Sequence, residues 1–187
     1  AVQCLNAEWL ARQMHGYQGL LRVKDRDRVM VDNAACLGNI PSISNFRHTT
    51  SIAHFRFLKN LGYRDEFTRT YGQGGTLFSD LLLGHGFMLA SRPMEGMEDV
   101  LSRDGMYLYR LPGAQWGWVV PESALGLELD DKASVFENLN VLYARLFPSG
   151  KSPLYVPAEA RTEVCGNAYR MSCLLYTSPS PRDRTRS

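Results

Sequence analysis

The segment from Gly38 to Gly84 constrains the fold more than any other part of the chain. Glycine and short polar residues cut it into pieces that arrive in a fixed order: GNIPSISNFRHTT, then SIAHFRFLKNLGY, then GGTLFSDLLLG. The Ser/Asn-rich piece, which we expect to be buried, leads into a short helix beginning near Ser51, whose hydroxyl can cap the free amides of the first turn. Ile52, Phe55, Leu58 and Leu61 then share one helical face and should point to the core. Gly62 supplies the left-handed residue that ends such a helix. A Gly-Gly elbow opens the next helix, capped by Thr76 and stopped by Gly84.

The flanks alternate between helical and extended patterns. Residues Leu5 to Leu20 place Leu5, Trp9, Leu10, Met14 and Tyr17 on one helical face. In LRVKDRDRVMVD, Leu21 and Val23 precede a charged turn at Asp25 to Asp27, and Val29 to Val31 follow, which predicts a strand, a turn and a second strand. Phe87 to Ser91 and Met106 to Leu111 read as strands separated by a polar, acid-containing loop, and Trp116 to Pro121 reads as a third. Ser134 and Glu137 form an S-x-x-E capping box. Phe136, Leu139, Leu142 and Leu146 follow at helical spacing until Pro148 stops the run. Residues 151–172 carry no clear pattern. Without a regular βαβ rhythm, the reading is α+β: a single mixed domain of short capped helices packed on a mainly antiparallel sheet.

Composition matters chiefly for what it excludes. Hydrophobic residues make up 44% and charged residues 21%, the balance of a folded domain rather than a disordered chain. Residues Cys173 to Asp183 read CLLYTSPSPRD, and one frame of a transposase-type sequencing-library adapter encodes those eleven residues without a mismatch. Composition alone also allows a natural Ser/Pro/Arg tail, but a match of that length favours the adapter. The expectation is therefore a domain over residues 1–172, cut at both ends, with 173–187 a non-native, disordered tail. The formal net charge of +2 belongs to that tail, which holds Arg182, Arg184 and Arg186 against the single acid Asp183. No basic stripe with interleaved aromatics remains, so no nucleic-acid partner is expected. Cys4, Cys36 and Cys165 are widely spaced and contain no CxxC, which supports neither a zinc site nor a disulfide framework; they read as buried free thiols. No run approaches the ~18 apolar residues of a membrane span.

The chemistry-bearing residues fall short of familiar frames. Gly72 to Thr76, GQGGT, lacks the Gly-Lys-Ser/Thr ending of a P-loop and the G-x-G-x-x-G of a dinucleotide site, so it reads as a tight turn into a helix. His15, His48, His54 and His85 include no HxH or HExxH pair. Ser42, Ser44 and Ser79 have no nucleophile elbow. Asp65 and Asp80 could act as paired carboxylates only if folding joined them, and Asp80 is more simply a partly exposed residue or a buried hydrogen-bond anchor. Tyr107, Tyr109, Trp116 and Trp118 could form a sugar-stacking platform, although aromatics on strands more often belong to a core.

Five blocks in order resemble the C-terminal soluble region of the YfhO family, bacterial polytopic membrane proteins grouped with GT-C-type glycosyltransferases. Leu21 to Lys24 is similar to the family's "(F/Y)YR(V/I)" strand. Leu37-Gly38-Asn39 with Ser42 to Phe46 is similar to "GYNSISNF". Leu58 to Tyr63 resembles "MKKLGY", Gly74 to Asp80 resembles "GGTLLSD", and Phe136 to Asn140 resembles "FE-x-QN". The chain departs from the family at Pro41, at His85-Gly86-Phe87 in place of a Lys-Tyr pair, and at Gln115 to Trp118 in place of "LPLG(F/Y)".

The resemblance implies an extracytoplasmic domain at the cell membrane, attached through transmembrane segments outside this sequence. The parent would move a sugar from a polyprenyl-phosphate carrier to a cell-envelope glycopolymer such as teichoic acid. In GT-C enzymes the catalytic acid lies in an early loop between spans, so no catalytic residue, metal ligand or cofactor is assigned here. Asn45, Asp80, Trp116 and Trp118 are the substrate-binding candidates. Two other readings stay open: a carbohydrate-binding or structural module of a cell-surface protein, and a soluble intracellular enzyme, for which no motif speaks.

Overall fold

The computed structural model describes residues 2–14, 21–30, 33–46, 50–66, 68–150, 152–157, 160–165 and 168–173. His15, Tyr17, Val31, His48 and the tail from residue 174 lie outside them, as do the side chains of Cys4, Leu5, Asp65 and Cys165. Chain contacts divide the protein into two units, Ala1–Leu154 and Tyr155–Ser187. The architecture is α+β, with short helices and mainly antiparallel sheets.

In the first unit, helix α1 (Val2–Met14) precedes strand β1 (Arg22–Asp25), which pairs in parallel with β5 (His85–Ala90). Beyond β5 the sheet continues antiparallel through β7 (Met106–Arg110) to β6 (Glu98–Arg103), in the order β1-β5-β7-β6. Every residue of β5 is buried, which explains the apolar run from Gly86 to Ala90: a strand covered on both faces has no solvent side to alternate with. Phe87 and Leu89 join Leu10, Val23, Ala34 and Leu108 in one core. Met88 and Ala90 face the other way, towards Tyr109 and Leu111. Successive side chains point to opposite faces of a strand, so one short element anchors two clusters.

A second sheet, β2-β4-β3, is antiparallel and built from β2 (Asn45–Phe46), β4 (Arg69–Gly74) and β3 (Tyr63–Glu66). Between β2 and β3 lies α3 (Ile52–Asn60), and Gly62 follows it with φ +88°. At the elbow, Gly74 and Gly75 have φ of +83° and +71°, a conformation that side chains with a Cβ rarely adopt. Helix α4 (Leu77–Leu82) starts there. The Thr76 hydroxyl accepts from the Ser79 amide, and the Ser79 hydroxyl accepts from the Thr76 amide. Later in the unit, a 3₁₀ turn (Glu122–Ala124) precedes α5 (Val135–Leu146), which carries the expected Ser134/Glu137 box. Among the described residues of the second unit, β8 (Ala160–Cys165) and β9 (Ala168–Cys173) form an antiparallel hairpin, in the stretch whose sequence had no clear pattern.

Several expectations fail for identifiable reasons. Residues Val29 and Met30 form no second strand, because the Asp25 carboxylate accepts both of their amides at 2.8 Å and folds the chain into a turn. The supposed polar loop before Met106 contains β6. Its turn is Asp104-Gly105, with φ of +48° and +76°, the type of dipeptide that closes two-residue hairpins. The charged residues of β6 suit an edge strand, where they discourage pairing with other chains. Trp116 to Pro121 is not a strand; within it the Trp118 indole bonds the Leu81 carbonyl and packs edge-on against Phe147. Helix α2 (Ala34–Leu37) arises where no helix was expected. The Ser42–Phe46 block is half-buried rather than buried, and Cys36 is an exposed thiol rather than a core one.

Helix faces are also narrower than the periodicity suggested. Leu58 and Leu61 are fully buried, as are Leu139 and, nearly so, Leu142, whereas Ile52 and Phe136 sit exposed in the first turns. Ser51 makes no side-chain cap bond, unlike Ser134. Replacing Ser134 by Ala should therefore lower stability by about 1 kcal/mol, whereas Ser51→Ala should change it by less than about 0.5 kcal/mol. Urea-denaturation midpoints of the two variants provide the comparison, and equal losses would refute the assignment of caps.

Candidate functional site

Four segments bring polar side chains into one buried cluster. Lys24 comes from β1, Tyr63 from the first position of β3, Asp80 from α4 and His85 from the start of β5. All four residues are buried. The Lys24 ammonium donates to both carboxylate oxygens of Asp80 at 2.8 Å and to the Gly74 carbonyl at 2.6 Å. Tyr63 donates its hydroxyl proton to Asp80 Oδ1 at 2.5 Å. The same hydroxyl lies 3.3 Å from His85 Nδ1. Because its proton is engaged with Asp80, the oxygen is left to accept, which assigns the His85 proton to Nδ1. Nε2 then carries a lone pair, and it has no hydrogen-bond partner among the described residues.

Burial governs the electrostatics. It pushes the Asp80 carboxyl up, against the opposing pull of the Lys24 charge and of the hydrogen bonds from Lys24 and Tyr63. It also raises the Tyr63 phenol, reinforced by the neighbouring Asp80 charge. His85 moves the other way, down to about 3, because burial and then the charges of Lys24 and Arg22 disfavour the imidazolium. The ring is therefore neutral at physiological pH. With every Lys24 proton engaged and all four residues enclosed, the cluster has no face to offer a substrate. It acts as a clamp that closes the elbow helix against both sheets.

The substrate-binding candidates do not converge on this clamp as a group. Asp80 is its centre, a buried hydrogen-bond anchor. Asn45 is half-buried on β2, where its amide donates to the Ile43 carbonyl at 3.0 Å. Trp116 is 76% exposed. Trp118 packs edge-on against Phe147, and its indole N–H donates to the Leu81 carbonyl at 3.2 Å. Tyr107 and Tyr109 stack on each other along β7, but Tyr109 is buried and its hydroxyl accepts the Met94 amide. The four aromatics thus form no common exposed face. Lys24 and Tyr63 were not singled out from the sequence as polar partners. The signal was a lysine beside Val23 in a short strand, with an acid among the leucines of a glycine-opened helix.

Among the described residues, no group of three or more His, Cys, Asp and Glu side chains could hold a metal ion. No helix among them is long and apolar enough to cross a membrane. Compared with protein-family models, curated proteins and solved structures, the chain has no match.

Removing one member of a buried ion pair strands the other charge. Asp80→Ala should therefore cost about 3–5 kcal/mol. The double replacement Lys24→Met with Asp80→Leu should cost clearly less than the two single changes summed, measured as a coupling energy in urea denaturation; strict additivity would dissolve the clamp. His85 predicts a separate acid effect. An unfolded histidine takes up a proton near pH 6.5, which folded His85 resists until about pH 3. Its contribution is complete above pH 6.5 and is lost as the pH falls towards 3. Asp80 and Asp25, both pushed up by burial, act in the opposite sense, so the effect is isolated by difference. His85→Gln should flatten the stability profile between those pH values relative to the unaltered protein.

Proposed function

We propose that this chain is a non-catalytic extracytoplasmic domain of a YfhO-type polytopic membrane protein. The parent transfers a sugar from a polyprenyl-phosphate carrier to a cell-envelope glycopolymer. The domain covers the membrane-embedded active site and helps to hold the acceptor, while the catalytic acid lies in another part of the parent. One observation carries the reading. Three of the blocks that bear the resemblance meet in a single buried contact: Lys24 ends the first block, Tyr63 ends the third and Asp80 ends the fourth, and Asp80 bonds both of the others. Residues so far apart in sequence that share one buried network are coupled in what they can become, which gives a physical reason for the blocks to occur together.

The alternative of a carbohydrate-binding module that stacks sugars on Trp116, Trp118, Tyr107 and Tyr109 is weaker, because Tyr109 is enclosed and Trp118 is held edge-on by Phe147. The complete reading frame of the gene tests the proposal. It should encode several apolar spans of about twenty residues upstream of Ala1, and its deletion should remove a sugar substituent from the envelope glycopolymer. A start codon immediately before Ala1, or an unchanged envelope glycan, would overturn it. Glycan-array binding that depended on both Trp116 and Trp118 would favour the module instead.

A further inference from the structure

Beside the clamp, on the other side of Lys24, β1 and β4 enclose a second polar feature that the proposed function does not use. A cavity of about 20 Å³ is lined by Asp25, Arg28, Ser44, Thr70, Tyr71 and Gly72, with Met30 and Ala35 completing its apolar wall. That volume holds one or two water-sized groups. Two hydroxyls in its lining, Ser44 Oγ and Thr70 Oγ1, are enclosed yet have no hydrogen-bond partner among the described residues. Thr70 is only 3% exposed. A buried hydroxyl without a partner costs free energy, so two of them around one space call for a third group to bond both.

The absence of a side chain keeps that space open. A Cβ on Gly72 would come within 2.9 Å of Ser44 Oγ and 3.0 Å of the Asp25 backbone nitrogen and oxygen. At the mouth, the exposed Arg28 lies over the Tyr71 ring at 5.0 Å, so the cavity has an outward side. The chemistry of the lining narrows the ligand. The Asp25 carboxylate disfavours an anion, and Arg28 disfavours a cation. Ser44 and Thr70 each donate and accept, which suits a group that does the same. Although Asp25 holds the amides of Val29 and Met30, each carboxylate oxygen keeps a further lone pair for a donor.

We propose that the cavity lined by Ser44, Thr70, Gly72 and Asp25 is a binding subsite for a neutral polyhydroxylic ligand, which inserts one hydroxyl-bearing arm between the two orphan hydroxyls. The remainder of the ligand lies outside, against Arg28 and Tyr71. The assignment rests on the lining alone and does not require the membrane-transferase reading.

Titration of the whole 187-residue chain, labelled with ¹⁵N, tests this with glycerol as the polyol probe and inorganic phosphate as the anionic control. Glycerol should produce saturable amide shifts at Ser44, Thr70 and Gly72, and phosphate none. Thr70→Val keeps the side-chain shape and removes an unpartnered hydroxyl, so the unliganded variant should melt no lower than the unaltered protein. Its affinity for glycerol should nevertheless fall about tenfold. Gly72→Ala should abolish the shifts by filling the space. Absence of saturation with glycerol, equal saturation with phosphate, or undiminished affinity in folded Thr70→Val would each overturn the proposal and leave a water site only. None of these results bears on whether upstream membrane spans exist, so the two proposals fail independently.

Discussion

The ion pair between Lys24 and Asp80 is the constraint on which the arrangement of this protein depends. Burying an ammonium and a carboxylate carries a large desolvation cost, and the pair is tolerable only when its remaining hydrogen-bonding capacity is met. Here each requirement is met by a different segment: Gly74 at the end of β4 supplies a carbonyl, Tyr63 at the start of β3 supplies a hydroxyl, and α4 presents the carboxylate itself. Lys24 belongs to the four-stranded sheet, and Gly74 and Tyr63 to the three-stranded one. Satisfying one lysine therefore fixes how the two sheets and the elbow helix meet. The glycines at positions 74 and 75 follow from the same demand, since the chain must reverse sharply between the carbonyl that Lys24 needs and the helix that carries Asp80.

Local chemistry marked out much of this framework. Thr76 and Ser134 start α4 and α5 where the capping patterns place them, and Gly62 and Gly84 follow the ends of α3 and α4 with positive φ. These features depend on a few neighbouring residues, so they survive in almost any tertiary setting. The Asp104-Gly105 dipeptide is of the type that closes a hairpin, but the charges of Glu98, Asp99 and Arg103 made the stretch before Met106 read as a loop. An edge strand is under little pressure to be apolar, which is why composition misleads there. The reverse holds for Trp116 to Pro121: its aromatic and branched residues favour a strand, yet Trp118 is held instead by the Leu81 carbonyl and Phe147.

The candidate site was legible only in part. Asp80 could be marked as a buried anchor because an acid among leucines invites a partner, but nothing nearby in sequence named Lys24 as that partner. Trp116 and Trp118 looked equivalent on paper. One projects into solvent and the other is locked by Phe147 and the Leu81 carbonyl, a distinction set by residues far along the chain. Ser44 and Thr70 carried no signal of a shared cavity, since an unpartnered hydroxyl exists only by reference to what surrounds it.

By itself, then, the sequence determined the capped starts of α4 and α5, the glycines that follow α3 and α4, and that the fold would mix helices with mostly antiparallel strands. Those outcomes depend on backbone sterics and on bonds within a turn or two. Tertiary structure alone decided which polar residues are enclosed, which of them meet, and which segment finds a strand to pair with. The reason is that burial and pairing belong to surfaces assembled from distant segments. Lys24 becomes the centre of the fold only when β4, β3 and α4 close around it.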